Sequence, residues 1–193
     1  MSRSQINEKE IGVGDYMRII KSETITETIK ELCIKGACHL PTDVYNRLLE
    51  AISTEDSPVS KHTLEILKEN ADIASQNQEP ICQDTGMACI FVEIGQEVYV
   101  EGNLTEAINE GVRQGYTEGY LRKSVVDDPV FDRINTKDNT PAIIHYDIVP
   151  GDKLKITVAP KGFGSENMCQ VKMLKPSDGI EGVKDFILKV VED

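Results

Sequence analysis

The sequence predicts an α+β fold in which a group of N-terminal helices packs on a mostly antiparallel sheet. Three observations predict it. Up to about residue 76 the apolar residues recur at helical spacing. Beyond Met87 short apolar runs alternate with turn signals, a pattern of strands and hairpins interrupted by one long amphipathic stretch. The chain has 193 residues and a hydrophobic fraction of 39%, enough for one core. It has no Trp and only 6 Tyr and 4 Phe, so aliphatic side chains must fill that core.

The elements follow in order. Residues 1–20 read as a weakly ordered segment, and residues 21–193 as one domain-forming stretch. Ile25, Ile29, Leu32 and Cys33 mark a helix over Thr24–Ile34, with Gly36 as its stop. Pro41-Thr42-Asp43 opens a second helix through Leu48, Leu49 and Ile52. Ser57-Pro58 opens a third, with Leu64, Leu67, Ala71 and Ala74 on one face. Met87–Ile94 reads as a buried strand and Val98–Val100 as a second, with Gly95-Gln96 as the hairpin turn between them.

Leu104–Tyr120 is a helix whose glycines, Gly111, Gly115 and Gly119, share one face. Each costs roughly 1 kcal/mol relative to Ala, so the helix must gain from them, either by close approach of another backbone or by room for a ligand. Asp127–Thr140 is a polar, Pro-bearing loop. Ala142–Val149 and Leu154–Ala159 are strands around the turn Pro150-Gly151-Asp152. Gly179–Val191 is a last helix, with Ile180, Val183, Ile187, Leu188 and Val191 as its apolar stripe.

The formal net charge of -12 argues against a nucleic-acid partner, which needs clustered Lys and Arg. It leaves room for a small anion held by one or two local cations. No apolar run approaches the ~20 residues of a membrane span, and Met1–Gly14 lacks a signal-peptide core. The expected location is therefore the cytoplasm, where the cysteines Cys33, Cys38, Cys82, Cys89 and Cys169 stay reduced. Cys33 and Cys89 sit in apolar patterns and read as small buried hydrophobes.

The chemistry concentrates in two segments. Pro80-Ile81-Cys82-Gln83-Asp84-Thr85-Gly86 places a thiol beside an amide, a carboxyl, a hydroxyl and a turn glycine. As a thiolate Cys82 suits a soft metal or an iron–sulfur cluster. Gln83, Asp84 and Thr85 can hydrogen-bond a hydroxy acid and move a proton, or simply form an Asx turn closed by Gly86. In Lys161–Asn167, Gly162 and Gly164 let backbone N–H groups approach an anion, or mark a strand-to-loop turn.

Arg122, which reads as closing the glycine-faced helix, offers a guanidinium to a carboxylate, or stabilises the helix C-terminus. No CxxC pair accompanies Cys82, and Cys33 and Cys38 have only His39 nearby, so a closed zinc site lacks support. A cysteine hydrolase lacks its base: of His39, His62 and His145, the last lies in a strand pattern and reads as structural.

PICQDTG, GYLRKSV, DNTPAIIHYDIVPGDKLKITVAPKG, GSENM and KMLKP, in that order, resemble the α subunit of class I iron–sulfur hydro-lyases, the oxygen-sensitive fumarases and L-tartrate dehydratases. The resemblance runs from about Ile25 to about Val191. It implies a [4Fe–4S] cluster held by three cysteines, whose open iron binds the substrate's hydroxyl and carboxylate. It implies reversible hydration of a dicarboxylic acid, with fumarate/malate favoured and tartrate the other candidate.

Residue by residue, the resemblance matches Cys82 to the first cluster ligand, and Gln83 and Asp84 to substrate contacts, with Asp84 as candidate acid/base. Thr85 joins them as a candidate substrate contact. Arg122 matches a carboxylate-clamping arginine, and Gly162, Gly164 and Ser165 the glycine-rich loop that lines the site. Asn135, Thr136, Asn139 and Thr140 match a motif near the site whose role the resemblance leaves open. The site is expected where Cys82, Arg122 and Gly164 converge.

The sequence also departs from the family. The Cys-Pro-Pro segment and the third cluster cysteine do not occur before Asp193, and Cys169 stands where the family usually has Ser. The chain therefore reads as the N-terminal part of an α subunit, with one of the three expected cysteine ligands and inactive by itself. Its expected partners are the β subunit and further copies, as a homodimer or heterotetramer. The alternatives are a non-catalytic interaction subunit that binds a β partner, and a thiol-based metal sensor using Cys82 and Cys169.

Overall fold

The computed structural model describes residues 17–164 and 168–192, and the chain divides into two compact units, residues 1–161 and 162–193. The division falls inside the single stretch expected over residues 21–193.

The first unit is α+β. Its elements are β1 (Arg18–Lys21), α1 (Ser22–Cys38), α2 (Thr42–Thr54), α3 (Pro58–Asn77), β2 (Met87–Gly95), β3 (Val98–Glu101), α4 (Leu104–Glu118), β4 (Ile143–Val149) and β5 (Leu154–Lys161). β1 overlaps the segment expected to be weakly ordered: Arg18–Ile20 pair with Val98–Val100 in a parallel ladder. α1 runs through Gly36 to Cys38 instead of stopping there. At Gly36 a Cβ would lie 3.4 Å from Pro160 Cγ, so this glycine marks a close approach of α1 to β5.

The core lies between α1, α4 and one face of a three-stranded sheet of order β4-β2-β5. Ile25, Ile29 and Cys33 of α1, four residues apart on one face, meet Ala107, Ile108, Val112 and Tyr116 of α4 and Ala88, Ile90 and Val92 of β2. The aliphatic core expected from the absence of Trp is thus present. On the opposite sheet face Phe91 stacks on His145 with ring centroids 5.0 Å apart. Cys89 belongs to that second face and is only half-buried, because successive strand residues point to opposite faces. The expectation that it lies in the core is corrected.

The sheet is mixed, and the hairpin expected between Met87–Ile94 and Val98–Val100 does not form. β2 pairs in parallel with β4 and antiparallel with β5, while β3 leaves β2 to pair with β1. The apolar strand β2 takes the centre, where both its edges are bonded. The turn from β4 to β5 therefore passes over its end: Gly95 N–H donates to Lys153 O at 2.8 Å, Gln96 N–H to Val149 O at 2.9 Å and Glu97 N–H to Gly151 O at 3.0 Å. A Cβ on Gly95 would sit 2.2 Å from the Gly151 oxygen, so Gly95 is required by this crossing and not by a hairpin turn.

The helix glycines face α1. A Cβ on Gly111 would lie 2.6 Å from Ile29 Cβ and from Thr26 O, and one on Gly115 2.8 Å from Cys33 Cβ. Backbone approach is therefore what these glycines provide, and the ligand space is not there. The same contact lets Thr26 Oγ1 donate to Ala107 O at 3.0 Å and Lys30 pair with Glu118 at 2.8 Å.

α2 and α3 form a separate antiparallel pair. Pro41 is the N-cap of α2, and Ser57 caps α3 ahead of Pro58. Ala71 and Ala74 are buried as expected, but Leu67 is exposed and α2 has no buried residue.

In the second unit, a 3-10 turn over Pro176–Asp178 leads into α5 (Gly179–Glu192). The Asp178 carboxylate accepts from Lys175 N–H at 2.8 Å, which fixes the entry to the helix. The expected apolar stripe of α5 is present and exposed. Among the described residues, no helix of either unit is long and apolar enough to cross a membrane.

Candidate functional site

The Cys82 segment leaves α3 through Gln78, which adopts the left-handed conformation at the helix end, and reaches β2 at Met87. Cys82 and Gln83 are exposed, Asp84 is half-buried, and Thr85 and Gly86 are buried. The turn is built from the site residues themselves. Cys82 Sγ accepts from Asp84 N–H at 3.4 Å and lies 3.5 Å from Gln83 Oε1. Asp84 Oδ1 accepts from Gly86 N–H at 3.1 Å, and Gly86 has φ +66°. The Asx turn and the array of polar groups therefore coexist: the turn holds the thiol outward.

Thr85 is 6% exposed, and its hydroxyl donates to Arg122 O at 3.0 Å. Its proton is used within the fold, and Thr85 joins two backbone segments. Its own carbonyl accepts from the Tyr116 hydroxyl at 2.9 Å. Burial pushes the Tyr116 phenol far above its usual range, so Tyr116 is a fixed donor and not a proton carrier.

Arg122 does not close the glycine-faced helix. α4 ends at Glu118 with Gly119 as its C-cap. Tyr120 then turns at φ +53°, and Arg122 follows in an irregular segment. Leu121, buried in the core, anchors that segment, and the Arg122 side chain is exposed. Among the described residues its guanidinium has no hydrogen bond or ion pair, so its donors are available to an anion.

A third segment completes the junction, and here the open motif finds its place. Asn139 is fully buried: its Oδ1 accepts from Ser124 N–H at 2.8 Å and Val125 N–H at 3.1 Å, while its Nδ2 donates to Gly86 O at 3.0 Å. Asn135 Nδ2 donates to Lys123 O at 3.0 Å, and Thr136 N–H to Val125 O at 3.0 Å. Thr140 instead donates to Asp138 Oδ1, at 3.0 Å from its N–H and 2.8 Å from its hydroxyl. Sequence reasoning left Asn139 without a role and overlooked Tyr116. Nothing in a polar loop marks one Asn as buried; the signal for Tyr116 was its helical spacing from Ile108 and Val112 on the buried face.

Of the predicted residues, Cys82, Gln83, Asp84, Thr85 and Arg122 come together in the first unit. Gly162 and Gly164 belong to the second unit, and Ser165 lies outside the described residues. Cys33 and Cys38 are buried, and desolvation pushes the Cys33 thiol up to about 12 and raises that of Cys38. Neither is a ready thiolate. Cys169 is exposed in the second unit.

Among the described residues, no three His, Cys, Asp or Glu side chains gather to hold a metal ion. Beside the half-buried Asp84 carboxylate the junction offers one exposed thiol, a donor that suits a soft metal or a cluster corner. A groove of about 660 Å³ along α1 and α4 is lined by Glu23, Glu27, Glu106 and Glu110 with Arg113. Its carboxylates repel an acidic substrate, and the Cys82 turn is not part of it.

A family model described as Fumarate hydratase (Fumerase) matches residues 26–193. The chain belongs to this family. It is 41% identical over 172 residues to a Methanocaldococcus jannaschii protein named "Putative L(+)-tartrate dehydratase subunit alpha", covering 86% of this chain and 60% of that one. It is 30% identical over 169 residues to the L(+)-tartrate dehydratase subunit alpha of Escherichia coli strain UTI89, covering 86% of this chain and 55% of the relative. The Shigella sonnei protein of the same name is 29% identical over the same shares. The chain thus spans 55–60% of the length of these curated relatives.

Proposed function

We propose that this chain is part of a [4Fe–4S]-dependent hydro-lyase α subunit that adds water to, or removes it from, a dicarboxylic acid together with a β partner. The observation that carries the reading is the Thr85–Arg122 bond, which sets the exposed Cys82 turn and the exposed Arg122 on adjacent backbones. Membership of the family and the names of the relatives support it. Those names weight tartrate as substrate, whereas the motifs had favoured fumarate and malate.

In this reading Cys82 holds one corner of the cluster, and the other ligands come from protein outside this sequence. The cluster would supply an open, Lewis-acidic iron for the departing hydroxyl. Arg122 binds a substrate carboxylate through paired N–H donors and stabilises the charge that builds up when the neighbouring C–H loses its proton. Asp84, half-buried and beside the thiol, takes that proton in dehydration and returns it in hydration. Gln83, exposed on the same turn, hydrogen-bonds the hydroxy acid. Gly162, Gly164 and Ser165 take the substrate-contact role that the resemblance implies.

The second reading, a non-catalytic interaction subunit, is favoured by the absence of a three-ligand metal group among the described residues. Iron and sulfide content after anaerobic reconstitution separates the two. The samples are this chain alone, the chain completed by the missing α segment and β subunit, and the completed form carrying Cys82→Ser. A cluster in the completed form alone, lost with Cys82→Ser, supports the hydro-lyase and leads to assays with malate, fumarate and tartrate. No cluster in the completed form, or one indifferent to Cys82, leaves the interaction subunit.

A further inference from the structure

We propose that Asn139 is a positioning residue that locks the Cys82 turn to the Arg122 segment; the inference rests on the reading of those two segments as the site. Its side chain bonds both at once, donating to Gly86 O and accepting from Ser124 and Val125 N–H. A carboxamide carries this donor and acceptor pair without charge at every pH, whereas the isosteric Asp side chain does so only when protonated. Its backbone φ of +64° is a conformation that Asn and Asp adopt far more readily than other non-glycine residues.

The other bonds of the junction point the same way. Thr85 bonds Arg122 O, Tyr116 bonds Thr85 O, and Asn135 bonds Lys123 O. Each of these side chains ends on a backbone atom within the two site segments. The network therefore fixes where the segments run and leaves the Cys82 thiol and the Arg122 guanidinium outside it. The motif Asn135, Thr136, Asn139 acquires a role by this: it frames the site without touching the substrate.

The test is the rate at which iodoacetamide alkylates Cys82 in the full chain, read by mass spectrometry for wild type, N139D and N139G. In N139D the ionised carboxylate keeps an acceptor for Ser124 and Val125 but cannot donate to Gly86 O. In N139G the backbone conformation is kept and every side-chain bond is lost. Release of the turn frees Sγ from the Asp84 N–H, and the expected result is a three- to tenfold faster reaction at Cys82. Buried Cys33 and Cys38 report global unfolding, and exposed Cys169 normalises the reagent. A loss of stability alone would speed Cys33 and Cys38 along with Cys82.

An unchanged or slower rate at Cys82, or a rise shared with Cys33 and Cys38, overturns the proposal. If the variants do not fold, amide exchange in the wild type decides. Ser124 and Val125 must exchange as slowly as the β2 amides, and exchange at the rate of exposed loop amides overturns the lock. Neither measurement uses iron or turnover. A completed protein that never binds iron would therefore defeat the hydro-lyase reading while leaving the lock to stand or fall by the thiol and the amides.

Discussion

The α1–α4 interface and the Asn139 junction are both buried, and both looked unusual in the sequence, yet they are held together in opposite ways. At the interface the glycines remove side chains so that two helix backbones meet, and the contact is apolar apart from its rim. At the junction, irregular backbone is buried, and its N–H and C=O groups must find partners that no helix or sheet supplies. Side-chain amides and hydroxyls provide them. Small residues at regular spacing signalled packing, whereas scattered polar residues in an irregular loop marked the frame of the candidate site.

The largest effect is expected for N139A. It leaves Gly86 O, Ser124 N–H and Val125 N–H without this partner, at about 1–3 kcal/mol for each buried group left unsatisfied. Alanine in the left-handed conformation adds roughly 1 kcal/mol. Urea denaturation should show a total loss of about 4 kcal/mol or more; a loss below about 1 kcal/mol would mean that water replaces the amide.

G111A comes next. Helix propensity alone predicts a gain of about 1 kcal/mol, but the new Cβ meets Ile29 Cβ and Thr26 O at 2.6 Å. Overpacking should win, with a net loss of about 2 kcal/mol. A stabilised G111A would show that α1 and α4 can move apart freely. Y116F is expected to cost about 1 kcal/mol, because one hydrogen bond to Thr85 O is lost while the ring stays in the core.

The smallest effect is electrostatic and sharpens the junction alone. Partial burial raises the Asp138 carboxyl, but the N–H and hydroxyl of Thr140, the hydroxyl of Thr136 and the charge of Arg113 outweigh it and hold the group below its usual range. A depressed folded-state value contributes stability above the unfolded value of about 4, and that stability is lost as pH falls through the folded value. The wild type should lose melting temperature below about pH 4, and D138N should lose less across the same window; equal slopes would remove Asp138 from the account.

Much of this was legible in the sequence. The helices read correctly because a 3.6-residue period needs only local information, and Ser57-Pro58 and the spacing of Ile25, Ile29 and Cys33 supply it. The run from Cys82 to Gly86 announced its turn, because an Asx turn closes within a few residues. Strand partners were not legible: Gly95-Gln96 has the composition of a hairpin turn, and only the passage of Gly151 over the end of β2 shows why that glycine is there. Cys89 was misplaced because an apolar run on a strand does not say which of its two faces meets the helices.

The sequence by itself determined the fold class, the family and the cluster of polar side chains around Cys82, all of them encoded over short stretches or in ordered motifs. The tertiary structure decided that Gly111 and Gly115 serve packing, that Thr85 joins two backbone segments, and that Asn139 bonds across the junction. Those roles depend on contacts between residues tens of positions apart. Burial, which makes an unpaired amide or an added methyl group costly, exists only once the chain has closed on itself.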